Sequence, residues 1–153
     1  MTREEKELLL KDLCARLPYK VKASYYGAEE ECECFDTIDS IYWVVKDRYE
    51  VVIGQYDLPI EKVKPYLFPL SEMTDKQYKE MQEFVGDYAK VFRKTMGKDC
   101  ALELWLDADE CDATIYLEHI FDLQNWLNKN HFDYRGLIKK RLAIDATGLN
   151  IYD

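Results

Sequence analysis

The first hydrophobic positions of the chain recur at the spacing of one helix face. They are Leu9, Leu10, Leu13, Cys14 and Leu17. Residues three and four apart line up along one side of a helix. Thr2 and Glu5 have the spacing of a capping box, which satisfies backbone N–H groups at a helix start. Pro18 has no backbone N–H to donate to a further turn. The pattern predicts a helix that ends at Pro18.

From residue 21 to residue 53 the pattern changes to short runs of β-branched and aromatic residues, which are typical of strands. Four strands are predicted, over Val21–Tyr26, Glu31–Phe35, Ile38–Val45 and Tyr49–Ile53. The acidic stretch Glu29–Glu33 fits a hairpin turn running into the second strand, and Asp47-Arg48 fits the next turn. Side chains alternate along a strand, so Cys32 and Cys34 share one face, which we expect to point into the core. We interpret the region as an antiparallel meander.

A second helix is predicted after a connector that contains three prolines. Between Leu58 and Leu70 these prolines disfavour a long helix or a central strand. Ser71 or Thr74 then starts a helix that runs to about Met96, because apolar residues again recur at helical spacing. The inward stripe consists of Tyr78, Met81, Val85, Tyr88, Val91 and Phe92. Gly97 is a natural stop for this helix.

The last third of the chain completes the predicted fold. Ala101–Leu106 fits a strand or a short helix by periodicity, and we interpret it as a strand. A short third helix is predicted over Phe121–Lys129, and Gly136 indicates a turn. The fold class predicted is α+β: an antiparallel β-meander packed with two long helices and a short third helix, in a single layer pair. A length of 153 residues indicates one globular domain, residues 1–153.

Composition and charge narrow the classes of function. No apolar run approaches the roughly 20 residues that cross a bilayer, and residues 1–7 lack the features of a secretory signal. The five cysteines are an odd number, which favours reduced thiols over a disulfide framework. These features predict a cytoplasmic protein without a membrane partner. The net charge of −9 repels phosphate backbones, so direct nucleic-acid binding is disfavoured.

One acidic stretch resembles a calcium-binding loop in part. Starting at Asp107, carboxylates occupy the first and third positions, and Glu118 occupies the twelfth. However, Cys111 stands where an oxygen ligand belongs, and Asp112 stands where the loop needs glycine. We interpret the stretch as a solvated acidic turn.

Other chemistry-bearing patterns are equally incomplete. The one-residue gap in Cys32–Cys34 is shorter than the usual spacing of zinc ligands, and His119 and His131 are not at metal-helix spacing. No nucleophile elbow and no glycine-rich phosphate loop is present. The basic cluster Lys139–Arg141 is typical of a solvated face. No catalytic residue, metal ligand or cofactor is therefore predicted.

The candidate partner-binding segment lies near residue 131. Its side chains mix rings, hydrogen-bond donors and charges in the way that binding hot spots do. The candidate residues are Trp126, His131, Asp133, Tyr134 and Arg135. The alternative is a scaffold role, in which Trp126 and Phe132 are buried, Asp133 caps a turn and Arg135 bridges to a carboxylate.

Three strings of the sequence resemble a family of small uncharacterised proteins of gut Bacteroidetes and their associated phages or prophages. They are KELLLKDLCARLPY from Lys6, KPYLFPLSEMT from Lys64, and WLNKNHFDYRGLI from Trp126 together with the tail ATGLNIY from Ala146. The family carries no assigned chemistry, cofactor or catalytic residue. The resemblance implies a bacterial cytoplasm with a mobile element nearby.

Three hypotheses about function follow. The leading one is a non-enzymatic accessory protein that binds another, unidentified protein, since no catalytic constellation is present. The second is an acidic decoy of a mobile element that occupies nucleic-acid-binding proteins, since the chain is acidic. The third is an enzyme of unrecognised type that uses carboxylates with His119 or His131 as proton carriers. The oligomeric state is left open.

Overall fold

The computed structural model describes residues 1–27, 31–45, 48–85, 89–96, 99–106 and 113–152, with side chains at 1–27, 31–45, 48–83 and 120–152. The elements in chain order are α1 (Arg3–Arg16), β1 (Lys22–Gly27), β2 (Cys32–Thr37), β3 (Ser40–Val45), β4 (Arg48–Ile53), β5 (Tyr56–Pro59), β6 (Lys64–Leu67), α2 (Asp75–Val85), β7 (Ala89–Met96), β8 (Asp99–Leu106), α3 (Ala113–Lys129) and β9 (Ile144–Asp145). Short 3-10 turns cover Leu17–Tyr19, Ile60–Lys62 and Leu70–Glu72.

The chain divides into two compact units. Unit 1 consists of Met1–Leu67 and Arg135–Asp153, and unit 2 consists of Phe68–Tyr134. Unit 1 is therefore built from two separate parts of the chain, with unit 2 inserted between them. That the whole chain is one domain stays a prediction.

The described strands of unit 1 form two sheets. The first has the order β2-β1-β6-β9, with antiparallel pairs except for the parallel pair β6–β9. The second has the order β3-β4-β5 and is antiparallel throughout. The mixed α+β class, the antiparallel pairing and all four strands predicted between residues 21 and 53 are thus confirmed.

The prediction of a single meander is wrong, because β2 and β3 do not pair. The backbone N–H of Ile38 donates to the Val21 carbonyl at 2.9 Å, beside β1, whereas that of Asp39 donates to the Val52 carbonyl in β4 at 2.9 Å. Consecutive residues thus bond to different sheets. Ile38 is only 2% exposed, so its burial favours this crossing between the sheets.

The main core of unit 1 lies between α1 and these strands. Its buried members are Leu9, Leu13, Val21, Ala23, Tyr25, Ile38, Val51, Ile53, Ile60 and Val63. The predicted capping box at the start of α1 is confirmed, since Thr2 Oγ1 accepts from the Glu5 N–H and Glu5 accepts from the Thr2 N–H. The helix is followed directly by the 3-10 turn that contains Pro18.

The C-terminal part of unit 1 completes its first sheet. In β9, Ile144 pairs with Tyr66 of β6, and Leu137 and Leu142 pack with Leu67 in a second cluster. The Tyr152 hydroxyl donates to the Tyr66 carbonyl at 2.7 Å. The Tyr152 side chain therefore contacts the first sheet of unit 1.

Unit 2 corrects the predicted lengths of two helices. Thr74 caps α2, since its Oγ1 accepts from the Gln77 N–H at 3.2 Å, but the helix ends at Val85 instead of about Met96. Residues 89–96 form β7, which pairs along its whole length with β8. The strand predicted over Ala101–Leu106 is confirmed within β8.

The third helix is also longer than predicted. It covers 17 residues, from Ala113 to Lys129, so the expectation of two long helices and a short third one is wrong. The predicted stop at Gly97 lies outside the described residues. None of the helices in the described part of the chain is both long enough and apolar enough to cross a bilayer.

Candidate functional site

The segment predicted to bind a partner terminates α3. His131 has a φ of +56°, its N–H donates to the Asn128 carbonyl at 3.1 Å, and the Phe132 N–H donates to the Leu127 carbonyl at 3.0 Å. These two bonds are those of a Schellman motif, in which the residue after the helix adopts the left-handed conformation. The backbone at residue 131 therefore ends the helix and reverses the chain.

The same segment is fastened to the start of unit 2. The Phe68 N–H donates to the His131 carbonyl at 2.9 Å, and the Asp133 N–H donates to the Phe68 carbonyl at 2.8 Å. Trp126 stacks on Phe132 with ring centroids 5.8 Å apart. Both rings belong to the buried cluster of unit 2. These contacts connect the beginning of unit 2 to its end.

Little of the candidate segment faces solvent. Trp126 is 6% exposed, His131 7% and Asp133 9%. Tyr134 is half-buried, and its hydroxyl donates to Asn128 Oδ1 at 3.1 Å. These four residues come together in unit 2. Their contacts agree with the scaffold alternative, and partner binding by the segment stays a prediction.

Arg135 belongs to unit 1, where it contributes to a buried charge cluster. Arg16 in α1 donates to Asp12 through Nε at 2.7 Å and through a terminal nitrogen at 3.0 Å. Both residues are 0% exposed, and Arg135 Nε lies 3.4 Å from Asp12 Oδ1. Two guanidinium groups therefore share one carboxylate. This is the bridge to a carboxylate expected of Arg135 in a scaffold role.

The residues considered as metal ligands differ in how far the structure describes them. In the calcium-like stretch, residues 107–112 lie outside the described residues, as do the side chains of Glu118 and His119. Within the described side chains, no group of three or more His, Cys, Asp or Glu residues could hold a metal ion. Cys32 is exposed and Cys34 is half-buried. Both thiols lie on one face of β2, as predicted, but Cys32 does not reach the core.

The described surface carries its most prominent apolar side chains on β3. Trp43 is 67% exposed, Val45 57%, Tyr42 41% and Val44 39%. We call Ser40–Val45 the β3 edge. Contiguous apolar residues on a surface mark interaction sites, whereas single ones are ordinary. The β3 edge is therefore the candidate functional site.

The β3 edge is also the outer strand of its sheet. Among the described strands, β3 pairs only with β4, from Ser40 opposite Val52 to Val45 opposite Arg48. An outer strand presents a row of backbone N–H and C=O groups to an incoming chain. Charged residues and prolines usually protect such strands, and none occurs between Asp39 and Lys46. The pairing register with β4 shifts between Trp43 and Val45, near the end of the strand.

A polar network flanks the apolar residues of the β3 edge. The Tyr42 hydroxyl donates to Glu50 Oε2 at 2.7 Å, and Arg48 donates to Glu50 Oε1 at 2.6 Å. The hydrogen bond to Glu50 raises the pKa of Tyr42 to about 12. The bonds from Tyr42 and Arg48 lower the pKa of Glu50. Glu50 is therefore a carboxylate at neutral pH, next to the exposed rings.

The negative charge of the chain is concentrated in the part of the sequence that contains β3. Residues 23–60, which contain β2 to β5, include nine acidic and two basic residues, whereas the rest of the chain includes 21 and 19. Several of these acids have exposed side chains: Glu31, Glu33, Asp36, Asp39 and Asp57. A cation approaching unit 1 is attracted to this region.

Comparisons with known proteins add no relative. The chain matches no protein-family model, and searches of curated proteins and of solved structures likewise give no match. The resemblance to proteins of gut Bacteroidetes and their phages therefore stays a prediction, and the site is interpreted from its own geometry.

Proposed function

We propose that this protein is a non-enzymatic accessory protein that binds another protein through the β3 edge. The observation that carries the proposal is the combination of an outer strand with exposed Trp43 and Val45 on it. The partner contributes an extended segment that pairs with β3 and carries basic residues.

Strand addition supplies both affinity and selectivity at such a site. An extended peptide can form main-chain hydrogen bonds with the outer side of β3, as in other complexes built by β-augmentation. Alternate side chains of that peptide would then contact Trp43 on one face and Tyr42 on the other. Tryptophan and tyrosine are enriched among the residues that dominate binding free energy.

The acidic surroundings favour a basic segment over a second copy of this chain. Two copies paired through β3 would bring together two regions that each have nine acidic and two basic residues. A basic segment instead meets opposite charge, including the Glu50 carboxylate, and complementary charge accelerates association. Weaker binding at high salt is expected, because salt screens these charges.

A selection from a random peptide library tests this proposal. Peptides are selected on the full chain, and their affinities are measured for the wild type and for Trp43→Lys. The selected peptides should alternate apolar residues with Lys or Arg. Since Trp43 is the most exposed of the described rings, its replacement should weaken binding about 30-fold, as for a hot-spot residue worth ~2 kcal/mol.

Phe121→Lys is the matched control, because Phe121 is 59% exposed and lies on α3 in unit 2. This variant should bind the selected peptides within a factor of about two, as expected for a residue outside the interface. Equal losses in the two variants would contradict the proposal. Selected peptides that lack basic residues would also contradict it. A wild type that forms dimers, together with a Trp43→Lys variant that does not, would contradict it as well.

A decoy that occupies nucleic-acid-binding proteins is the second candidate, and the concentration of acidic residues in 23–60 favours it. In that function the charges, and not the rings, determine binding. Replacing Glu33, Asp36 and Asp57 by their amides would then abolish competition with duplex DNA for a basic DNA-binding domain, while Trp43→Lys would not. The leading proposal predicts the opposite order of effects on partner binding.

The setting proposed for either function is a bacterial cytoplasm near a mobile element, as the three resembling strings imply. Contacts within unit 1 join parts of these strings: Asp12 meets Arg135, and Leu8 packs in the cluster of Leu67 and Leu137. In unit 2, Phe68 bonds to the segment around Phe132. The strings therefore specify the scaffold more directly than they specify a binding surface.

A further inference from the structure

We propose that Cys32 and Cys34 form a dithiol site for a thiophilic divalent cation of the d10 type, with Zn²⁺ as its representative. The two Sγ atoms lie 3.6 Å apart on one face of β2, and the structure holds both residues as thiols. The proposal is independent of partner binding at the β3 edge.

The spacing of the sulfur atoms fits a tetrahedral ion. With Zn–S bonds of about 2.3 Å, two sulfurs 3.6 Å apart subtend about 103° at the metal. A tetrahedral ion prefers about 109°, so both sulfurs can bind with small rotations of their side chains. A two-coordinate ion such as Cu⁺, which prefers a nearly linear arrangement, fits this spacing less well.

The strand also makes chelation easier than disulfide formation. Residues two apart on an extended strand have Cα atoms about 6.6–6.8 Å apart, at the upper limit for a disulfide. Residues 32–37 form a continuous strand, and Cys32 pairs with Gly27 and Cys34 with Tyr25 of β1. Closing a disulfide would have to bend β2, whereas binding an ion between the sulfurs would not.

The site is accessible and lies in a favourable field. Cys32 is exposed, and β2 is the outer strand of its sheet among the described strands. The neighbouring residues Glu31 and Glu33 are acidic and exposed, so the local potential attracts a cation. Binding breaks two S–H bonds, forms two metal–sulfur bonds and releases two protons to the buffer.

The chain supplies two of the four ligands of such an ion. No third His, Cys, Asp or Glu joins the two thiols among the described side chains. Water or a small chelator would take the other two positions, as at an open zinc site. The result expected is a labile, exchangeable ion rather than a structural one.

Titration of the reduced full chain with Co²⁺, a spectroscopic substitute for Zn²⁺, tests the site. The wild type should develop thiolate-to-metal absorption with one ion per chain and lose it when Zn²⁺ is added. Cys32→Ser and Cys34→Ser should each weaken Co²⁺ binding at least about tenfold, because each removes one of two thiolates. One ion for two chains would also support the dithiol, with a second copy completing the tetrahedron.

Cys14→Ser is the matched control, since Cys14 is an exposed cysteine of α1 and lies outside the proposed site. This variant should bind Co²⁺ like the wild type. The proposal is overturned if the wild type shows no thiolate band, or if Cys32→Ser and Cys14→Ser titrate alike.

Discussion

Replacing Tyr152 by Phe should destabilise the protein near neutral pH and remove part of its sensitivity to alkali. The Tyr152 hydroxyl donates to the Tyr66 carbonyl at 2.7 Å and accepts from the Lys22 N–H at 3.2 Å. Removing it leaves two backbone groups without this partner in the first sheet of unit 1. The expected cost is about 1–3 kcal/mol of the free energy of unfolding.

The pH dependence follows from the pKa of the same hydroxyl. Burial raises the pKa of Tyr152 to about 12, above its ordinary value of 10. The folded state therefore favours the neutral phenol, and this stabilisation is present below pH 10 and lost as the pH rises through 12. Between pH 9 and pH 11 the advantage of the wild type over Tyr152→Phe should shrink by about 1.3 kcal/mol.

Urea unfolding of the wild type and of Tyr152→Phe at several pH values measures the difference between their free energies of unfolding. The other titrating groups contribute equally to both proteins, so they cancel in this difference. Tyr26→Phe is the control, because Tyr26 is 60% exposed in β1 and should lose little stability at any pH. An advantage of the wild type that stays constant from pH 9 to pH 11 would refute the role assigned to the buried phenol. So would a Tyr26→Phe protein as unstable as Tyr152→Phe.

Two further predictions concern the scaffold. Asp12→Ala should lower the free energy of unfolding in urea by about 3–5 kcal/mol, because it leaves the buried Arg16 without its carboxylate. Glu7→Ala is the control, since it breaks an exposed ion pair and should cost under about 1 kcal/mol. Similar losses in the two variants would contradict a stabilising role of the buried pair. His131→Val should be less stable than His131→Gly by about 1–2 kcal/mol, since φ at this position is +56°; thermal unfolding compares them, and equal stability would contradict the helix-end assignment.

Local patterns predicted the elements whose residues are close in sequence. The capping box of Thr2 and Glu5 and the four strands between residues 21 and 53 are present. The pattern could not show that the chain leaves one sheet and enters the other at Ile38 and Asp39, because the partners of these two residues are Val21 and Val52, respectively. Strand order is set by such contacts between distant residues, and a periodic pattern does not show which distant residues pair.

The end of α2 also could not be predicted from the spacing of apolar residues. Apolar residues keep helical spacing through Val91 and Phe92, yet residues 89–96 form β7. Both residues also favour strands, and the pairing of β7 with β8 decides between the two states. Tertiary pairing therefore overrides a periodicity that fits a helix.

The candidate residues named from the sequence and the β3 edge are different parts of the chain. The residues around His131 have the composition of a hot spot, but their burial depends on Phe68, more than 60 residues earlier. The apolar run from Ile41 to Val45 was visible as a strand. Its exposure follows from the outer position of β3 in its sheet, which sequence alone does not give.

Hydrogen exchange at the β3 edge, with and without a selected basic peptide, tests the central claim most directly. If the peptide adds as a strand, the amides of Ser40–Val45 that do not bond to β4 should become protected. Trp43→Lys should abolish this protection, while Phe121→Lys should keep it. Protection that appears on other elements and spares β3 would contradict the account.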